Sequence, residues 1–435
     1  MGPYNSEYKK KLVTAEEAVR KIKNGSTIVH GLAAGEPPAL LEALAVRVRN
    51  GELDHLKLHS LLVGAHVART LYAPDLSDCF EYYTWFVGKS SRSAVKVGLS
   101  YFVPNHFHQV PRLMQESLDI DVTMTQVSPM DQAGYFSFGT ANDYTSTVAR
   151  CCKSLMVEVN PNMPRVFGDS LLHISEVDAI VENTSDLMEF KWPKATAADE
   201  AISKIVCEMV PDEATIQLGF GGLPNTIAVA LEHHKDLGIH TEVLGPGMVF
   251  LMKKGVVTGR RKNLHPRKVV FTVAEGTQEL YEFMNNNPSM ESYPVSYTNS
   301  PEVIARNDNM ISINSIIQVD LLGQCNAEYL GGSQYSGTGG QLDYVRGAYN
   351  SRGGKSILAF NSTARNGQVS RVVSRLDAGV VVTTPRMDVQ YLVTEHGVVN
   401  LKGKSTRDRA LAIINLAHPR FRDELLKEAE DMYLV

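Results

Sequence analysis

Two glycine-rich stretches and one carboxylate are the residues of this sequence best suited to chemistry. The first stretch, Gly219-Phe220-Gly221-Gly222-Leu223-Pro224-Asn225, follows a short β-type run, Thr215–Leu218. An apolar helical pattern carried by Ile227, Val229, Ala230 and Leu231 comes next. Strand, glycine turn and helix start in that order cradle anions. The glycines let backbone N–H groups approach a ligand, and the helix N-terminus carries partial positive charge. The pattern predicts a helix ending near Gly238 and a strand over 239–243, which delivers Glu242 just before the turn Gly245-Pro246-Gly247. In a parallel βαβ unit both strand ends emerge on one rim of the sheet, so the loop and Glu242 are expected to face one crevice. The second stretch, from Gly331 to Gln341, contains Gly331, Gly332, Gly337, Gly339 and Gly340. So many glycines are entropically costly unless the backbone geometry requires them. Their interruption by Tyr335, and the following Asp343-Tyr344, read as a shaped binding loop; the alternative is a mobile surface loop.

A carboxylate in such surroundings can attack an activated acyl group and form a covalent intermediate. The developing oxyanion then needs backbone N–H donors, which glycine loops supply. The other reading of Glu242 is a surface acid at a strand end, and spacing alone does not choose between the two. Other chemistries lack their residues. There is no GxSxG elbow, no Walker A loop and no HExxH pair, and His233-His234 are adjacent, on different helix faces, so no metal site is expected. The run from Gly219 departs from the dinucleotide fingerprint at Pro224 and lacks a clearly placed acid for a ribose, which leaves nicotinamide dinucleotide binding as a minor alternative.

The elements that must position these residues form an internal echo. Ala15–Ile22 and Ala198–Ile205 are similar helical patterns, the first with Thr14 as its cap. Each leads into a strand (Thr27–Gly31, Thr215–Gly219), a Gly/Pro turn and another helix (Ala39–Arg49, Thr226–His234). Two copies of one α/β unit account for this, with 1–190 as an N-terminal domain, 198–435 as a C-terminal domain and Lys191–Ala198 as the linker. Further strands are expected at Lys57–Val63, Ile120–Val127, Leu155–Val159, Val177–Glu182, Lys268–Thr272, Met310–Asn314, Ser356–Ala359 and Gly379–Thr383. A helix is expected at Val110–Leu118, and a helix pair over Thr406–Met432 broken at His418-Pro419. Alternation of strands and helices predicts an α/β fold of two tandem open, mostly parallel sheets.

Bulk properties narrow the function class. At 435 residues the chain exceeds one ordinary core. With 43% apolar and 21% charged residues and a net charge of −5, neither nucleic acid nor an anionic membrane is an expected partner. No apolar run is long enough to span a membrane. Gly2 and Ser6 match an N-myristoylation pattern, which is read as chance. The five cysteines, Cys79, Cys151, Cys152, Cys207 and Cys325, form no CxxC pair and suit a reducing, cytoplasmic setting, with Cys151 and Cys152 as buried thiols.

Several ordered motifs then carry a resemblance. GFGGLPN with GIHTE, INSIIQVDLLGQ, YSGTGGQLDYVRGA, GGKSILAF, VTEHGVVNLKGKS and RALAIINLAHPRFRDEL, with SPMDQAGYFSFGTANDY and NPNMPRVFGDSLLHISEVD in the first half, resemble the acetyl-CoA hydrolase/transferase family. Within it the similarity is to 4-hydroxybutyrate and butyryl-CoA:acetate CoA-transferases. The resemblance implies two CoA-transferase-type domains with the active site between them, Glu242 as nucleophile, and ping-pong kinetics through a glutamyl-CoA thioester. It implies coenzyme A as acyl carrier, short-chain carboxylic acids as co-substrates, no permanently bound cofactor, and a homo-oligomer such as a dimer. Carried over by position, Gly219, Phe220, Gly221, Gly222 and Leu223 form the CoA loop, with the Phe220 N–H an oxyanion donor. Gly332, Gly337 and Gly340 match the second loop, Gly337 as an oxyanion donor, and Lys355 matches a CoA-contacting lysine. Arg260-Arg261-Lys262 is read as a solvated loop, the other possibility being contact with a CoA phosphate. Where relatives carry Ser-Asp-Gly after the nucleophile, this chain has Gly245-Pro246-Gly247, which opens the question of acyl preference. An acyl-CoA hydrolase on the same site and a non-catalytic CoA or sugar-phosphate sensor are the alternatives.

Overall fold

The computed structural model describes residues 3–191 and 194–435. Gly2, with its acylation-like pattern, and Trp192-Pro193 of the expected linker lie outside the described residues. The chain forms two compact units, Met1–Lys191 with Val270–Thr298 and Trp192–Val269 with Asn299–Val435.

The first unit is built on seven strands: β1 (Thr27–His30), β2 (Leu56–Ser60), β3 (Phe80–Thr84), β4 (Ser100–Phe102), β5 (Val122–Val127), β6 (Ser154–Val159) and β7 (Ala179–Glu182). They pair in the order β7-β6-β5-β1-β2-β3-β4, every pair parallel. All six residues of β5 are buried, as a parallel sheet covered on both faces requires. The second unit carries β8 (Thr215–Leu218), β9 (Gly238–Ile239), β10 (Met310–Ser315), β11 (Lys355–Ala359), β12 (Tyr391–Thr394) and β13 (Gly397–Asn400). Their order is β9-β8-β10-β11-β12-β13, parallel except for the β12–β13 hairpin. The run β2-β1-β5-β6-β7 of one sheet thus matches β9-β8-β10-β11-β12 of the other.

The echo extends to the helix starts. Thr14 with Glu17, and Thr196 with Asp199, each form a reciprocal capping box ahead of Ala15–Val19 and Ala197–Met209. Such caps are worth about 1 kcal/mol each.

Several details depart from the sequence pattern. The expected C-terminal domain, 198–435, is interrupted: Val270–Thr298 belongs to the first unit. There Val273 and Val295 share a core with Trp85, Phe107 and Tyr144, and the Thr272 carbonyl accepts from the Asn142 N–H at 3.2 Å. Gly379–Thr383 is not a strand. Gly379 has φ +85°, and Val381 and Val382 are exposed, so its β-branched residues find no ladder. Cys151 is exposed rather than buried, and it and Cys152 are free thiols. The final helices, Thr406–Leu416 and Pro419–Asp431, break where His418-Pro419 predicts. Among the described residues no helix is long and apolar enough to cross a membrane.

Candidate active site

Strands β8 and β9 are parallel neighbours, with Thr215 opposite Gly238 and Ile216 opposite Ile239. Their C-terminal ends therefore leave the second unit's sheet on one rim. Beyond β8, Gly219 packs so closely that a Cβ there would lie 3.1 Å from Asn314 Oδ1. Asn314 is locked in turn to Gln217 by two reciprocal amide hydrogen bonds of 3.0 Å. Phe220 is exposed, and Gly221 takes φ +140°, which glycine alone adopts freely. The helix Gly222–Ala230 starts there with no side-chain cap and continues as a 3-10 turn, Leu231–His233, ending five residues before Gly238. Gly219–Gly221 line a narrow apolar slot together with Val243, Gly245 and Gly247. Gly247 is needed for this approach of two helix starts, since a Cβ would collide with Ala228 and Asn225.

Glu242 is not inside a strand. The chain bends after β9, and Glu242 stands at the bend before a two-residue strand, Val243–Leu244. Asn299 Nδ2 donates to Glu242 Oε2 at 2.5 Å, and the Gly340 N–H donates to the same carboxylate. A Cβ at position 340 would fall on Glu242 Oε2 and Asn299 Nδ2 and would displace both. Burial pushes the Glu242 carboxyl up to about 7; the Asn299 bond opposes this, the nearby Asp343 carboxylate adds to it, and the Gly340 N–H opposes it. The residue keeps some exposed surface, so it is the crowding at the carboxyl group itself that raises its proton affinity. Tyr344 beside it is fully buried and its hydroxyl is raised well above the usual phenol range, by burial first and by Glu242 second.

The structure brings Glu242, Gly340 and the 219–223 loop to one rim. Gly337 is buried in the second loop, and Gly332 (φ +79°) is exposed at the tip of the hairpin Tyr329–Leu330/Ser333–Gln334, where its carbonyl accepts from the Tyr329 hydroxyl at 2.9 Å. Lys355 lies elsewhere. It opens β11, opposite Ile311, while the rim end of that strand is Ala359, opposite Ser315. Four residues at about 3.3 Å each separate it from the rim, and its ammonium is held by the Met209 carbonyl at 2.8 Å. The basic run is engaged too: Arg260 pairs with Asp236, Arg261 with Glu213 at 3.0 Å, and the buried Lys262 donates to the Ile239 and Lys268 carbonyls. Asn299 is the residue that sequence reasoning misses. It lies 57 positions from Glu242 in a polar segment without a motif. Among the described residues no group of three or more His, Cys, Asp or Glu side chains is placed to hold a metal ion.

Comparison with known proteins finds two family domains along the chain. The acetyl-CoA hydrolase/transferase N-terminal domain matches residues 2–190, and the C-terminal domain of the same name matches residues 276–429. The chain belongs to the acetyl-CoA hydrolase/transferase family. This is a family of enzymes, and its members reach high similarity to this chain. 4-Hydroxybutyrate coenzyme A transferase of Clostridium kluyveri is 46% identical over 97% of both chains. Succinyl-CoA:cyclohexane-1-carboxylate CoA transferase of Geobacter metallireducens is 45% identical, over 99% of this chain and 97% of its own. The crystal structure of RipA from Yersinia pestis superposes with a TM-score of 0.96 at 48% identity, covering 99% of each chain. Two relatives at nearly equal identity are named for different acids, so overall identity does not select the acyl group.

Proposed function

We propose that this protein is a short-chain acyl-CoA:carboxylate CoA-transferase that works through a glutamyl-CoA thioester on Glu242, with butyryl-CoA or 4-hydroxybutyryl-CoA as acyl donor and acetate as acceptor. The observation that carries the reading is the hold on Glu242: a buried carboxyl group of raised basicity, one oxygen tied to the Asn299 amide, packed so closely on Gly340 that a Cβ there would displace it.

In this scheme Glu242 Oε1 attacks the thioester carbonyl, and the C–S bond breaks to give a mixed anhydride and CoA thiolate. The thiolate then attacks the glutamyl carbon. Negative charge develops on Oε2, where the Asn299 amide is already aimed, so little reorganisation is needed. Departure of the carboxylate, which carries Oε1 away, leaves the glutamyl-CoA thioester. An incoming carboxylate reverses the steps. Burial keeps Glu242 a stronger base than a solvated carboxylate, and it remains substantially ionised near neutral pH.

The test is mass spectrometry of the protein mixed with butyryl-CoA in the absence of acceptor, with and without borohydride. A CoA adduct on the peptide containing Glu242, reducible by borohydride and discharged by acetate to acetyl-CoA, is expected. Steady release of free CoA without acceptor would establish the hydrolase instead. CoA binding with neither adduct nor turnover would favour the sensor.

A further inference from the structure

The second glycine loop is held from one side by a residue that the reaction itself does not use. Gly337 is bracketed by Ser336 and Thr338, and both are tied to Glu328, which is only 7% exposed. The Ser336 N–H donates to the Glu328 carbonyl at 3.0 Å, and Thr338 Oγ1 donates to Glu328 Oε1 at 3.3 Å. The other carboxylate oxygen, Oε2, accepts from Gln334 Nε2 at 2.7 Å. That same Nε2 donates to the Ser336 carbonyl at 3.0 Å. The Ser336 carbonyl and the Gly337 N–H share one planar trans peptide and point in opposite directions. Whatever fixes the carbonyl therefore fixes the N–H. Residue 337 has no side chain of its own to restrict it, so its direction must be imposed from outside. Glu328 is itself anchored, since Asn326 Oδ1 accepts from the Glu328 and Tyr329 N–H groups at 3.1 and 2.9 Å. The hairpin pairs Tyr329 with Gln334, which returns Gln334 to the side of Glu328.

We infer that Glu328 and Gln334 are positioning residues that aim the Gly337 N–H at the oxyanion formed from the acyl-CoA thioester carbonyl. This rests on the transferase reading above. The chain of contacts runs from the Glu328 carboxylate through the Gln334 amide to the Ser336 carbonyl, and so to the Gly337 N–H. Bonds to an ionised acceptor are the stronger kind, which suits the carboxylate for the first link.

The test uses the full-length protein with butyryl-CoA and acetate. Gln334→Met keeps the side-chain length, removes the amide donor and changes a half-buried position, so folding is not at stake. Its kcat should fall by about ten- to a hundred-fold, part of the 10²–10³-fold carried by a whole oxyanion donor. KM for both substrates should stay within about three-fold and the melting temperature should be unchanged. Glu328→Leu should be at least as slow. Glu328→Gln, which still offers Gln334 an acceptor, should recover about ten-fold or more of that loss. A Gln334→Met kcat within about two-fold of wild type, a loss residing in KM, or a Glu328→Gln as slow as Glu328→Leu would each overturn the inference. Wild-type protein that forms no Glu242 adduct and does not turn over would overturn the transferase reading instead.

Discussion

The two units repeat one topology yet treat the helix ends at the C-terminal rim of the sheet in opposite ways. In the first unit the helix after β1, Pro38–Arg49, gives its Ala39 and Leu40 N–H groups to Glu158 Oε2 at 2.9 and 3.1 Å. The short helix after β2, Ala65–Arg69, is met by Glu36, which accepts from the N–H groups of Gly64, His66 and Val67 at 2.6, 3.1 and 3.2 Å. Both acids are fully buried, and burial outweighs their donors, pushing Glu36 up to about 8 and Glu158 up to about 7. In the second unit the matching helices begin at Gly222 and Pro246, behind Gly221 and Gly245, and have no side-chain cap. Its acid of raised proton affinity, Glu242, stands instead in the segment after β9 and is held by one side-chain amide and one backbone N–H. A carboxylate that closes off a helix end stabilises the fold. One placed beside uncapped helix ends is left with reactivity, and the partial positive charge there is left for an anionic ligand.

The contrast can be broken experimentally, and the largest effect belongs to the acid itself. Glu242→Ala should lower CoA transfer by at least ~10⁴-fold in steady-state assays, and Glu242→Asp by about 10²-fold through misplacement alone. Next comes Asn299→Ala, expected to cost about 10²–10³-fold in kcat as an oxyanion donor. Gly340→Ala should cost about 10²-fold. Its φ of −93° is ordinary, so the damage is collision with Glu242, visible as a displaced carboxylate in a crystal structure of the variant. The pH profile sharpens the same point. The ionised carboxylate is the nucleophile, so kcat/KM for acyl-CoA should rise about ten-fold per pH unit below 7 and level off above it, as the raised value of about 7 requires. Asn299→Ala removes a bond favouring the ionised form and should move the inflection to higher pH.

The smallest effect lies in the first unit and concerns stability. Glu36→Gln places an amide NH₂ against a backbone N–H and should cost about 1–3 kcal/mol, read as a lower first thermal transition. The wild-type Glu36 value, near 8 in the folded chain against 4.5 ordinarily, means the native state binds that proton more tightly. Stability from this group is complete below about pH 4.5 and is lost as pH rises toward 8. Glu36→Gln should remove that share of the slope.

Much of this was legible in the chain itself. The two similar helical patterns, the strand and Gly/Pro turn after each, and the alternation of β-rich and helical runs determine two copies of an α/β unit, because such patterns are local in sequence. Gly221, Gly331, Gly332 and Gly339 announced their loops, since their positive φ is free of penalty only for glycine. What local pattern does not contain, the tertiary structure decided. Val270–Thr298 joins the first unit because its valines find their core around Trp85 and Tyr144, residues more than a hundred positions away. Lys355 belongs to a motif but stands at the far end of its strand, since strand direction, not motif membership, places a side chain. Asn299 and Glu328 carry no signature at all. Their parts arise from hydrogen-bond geometry, which exists only once separate segments have been brought to within 3 Å or so of each other.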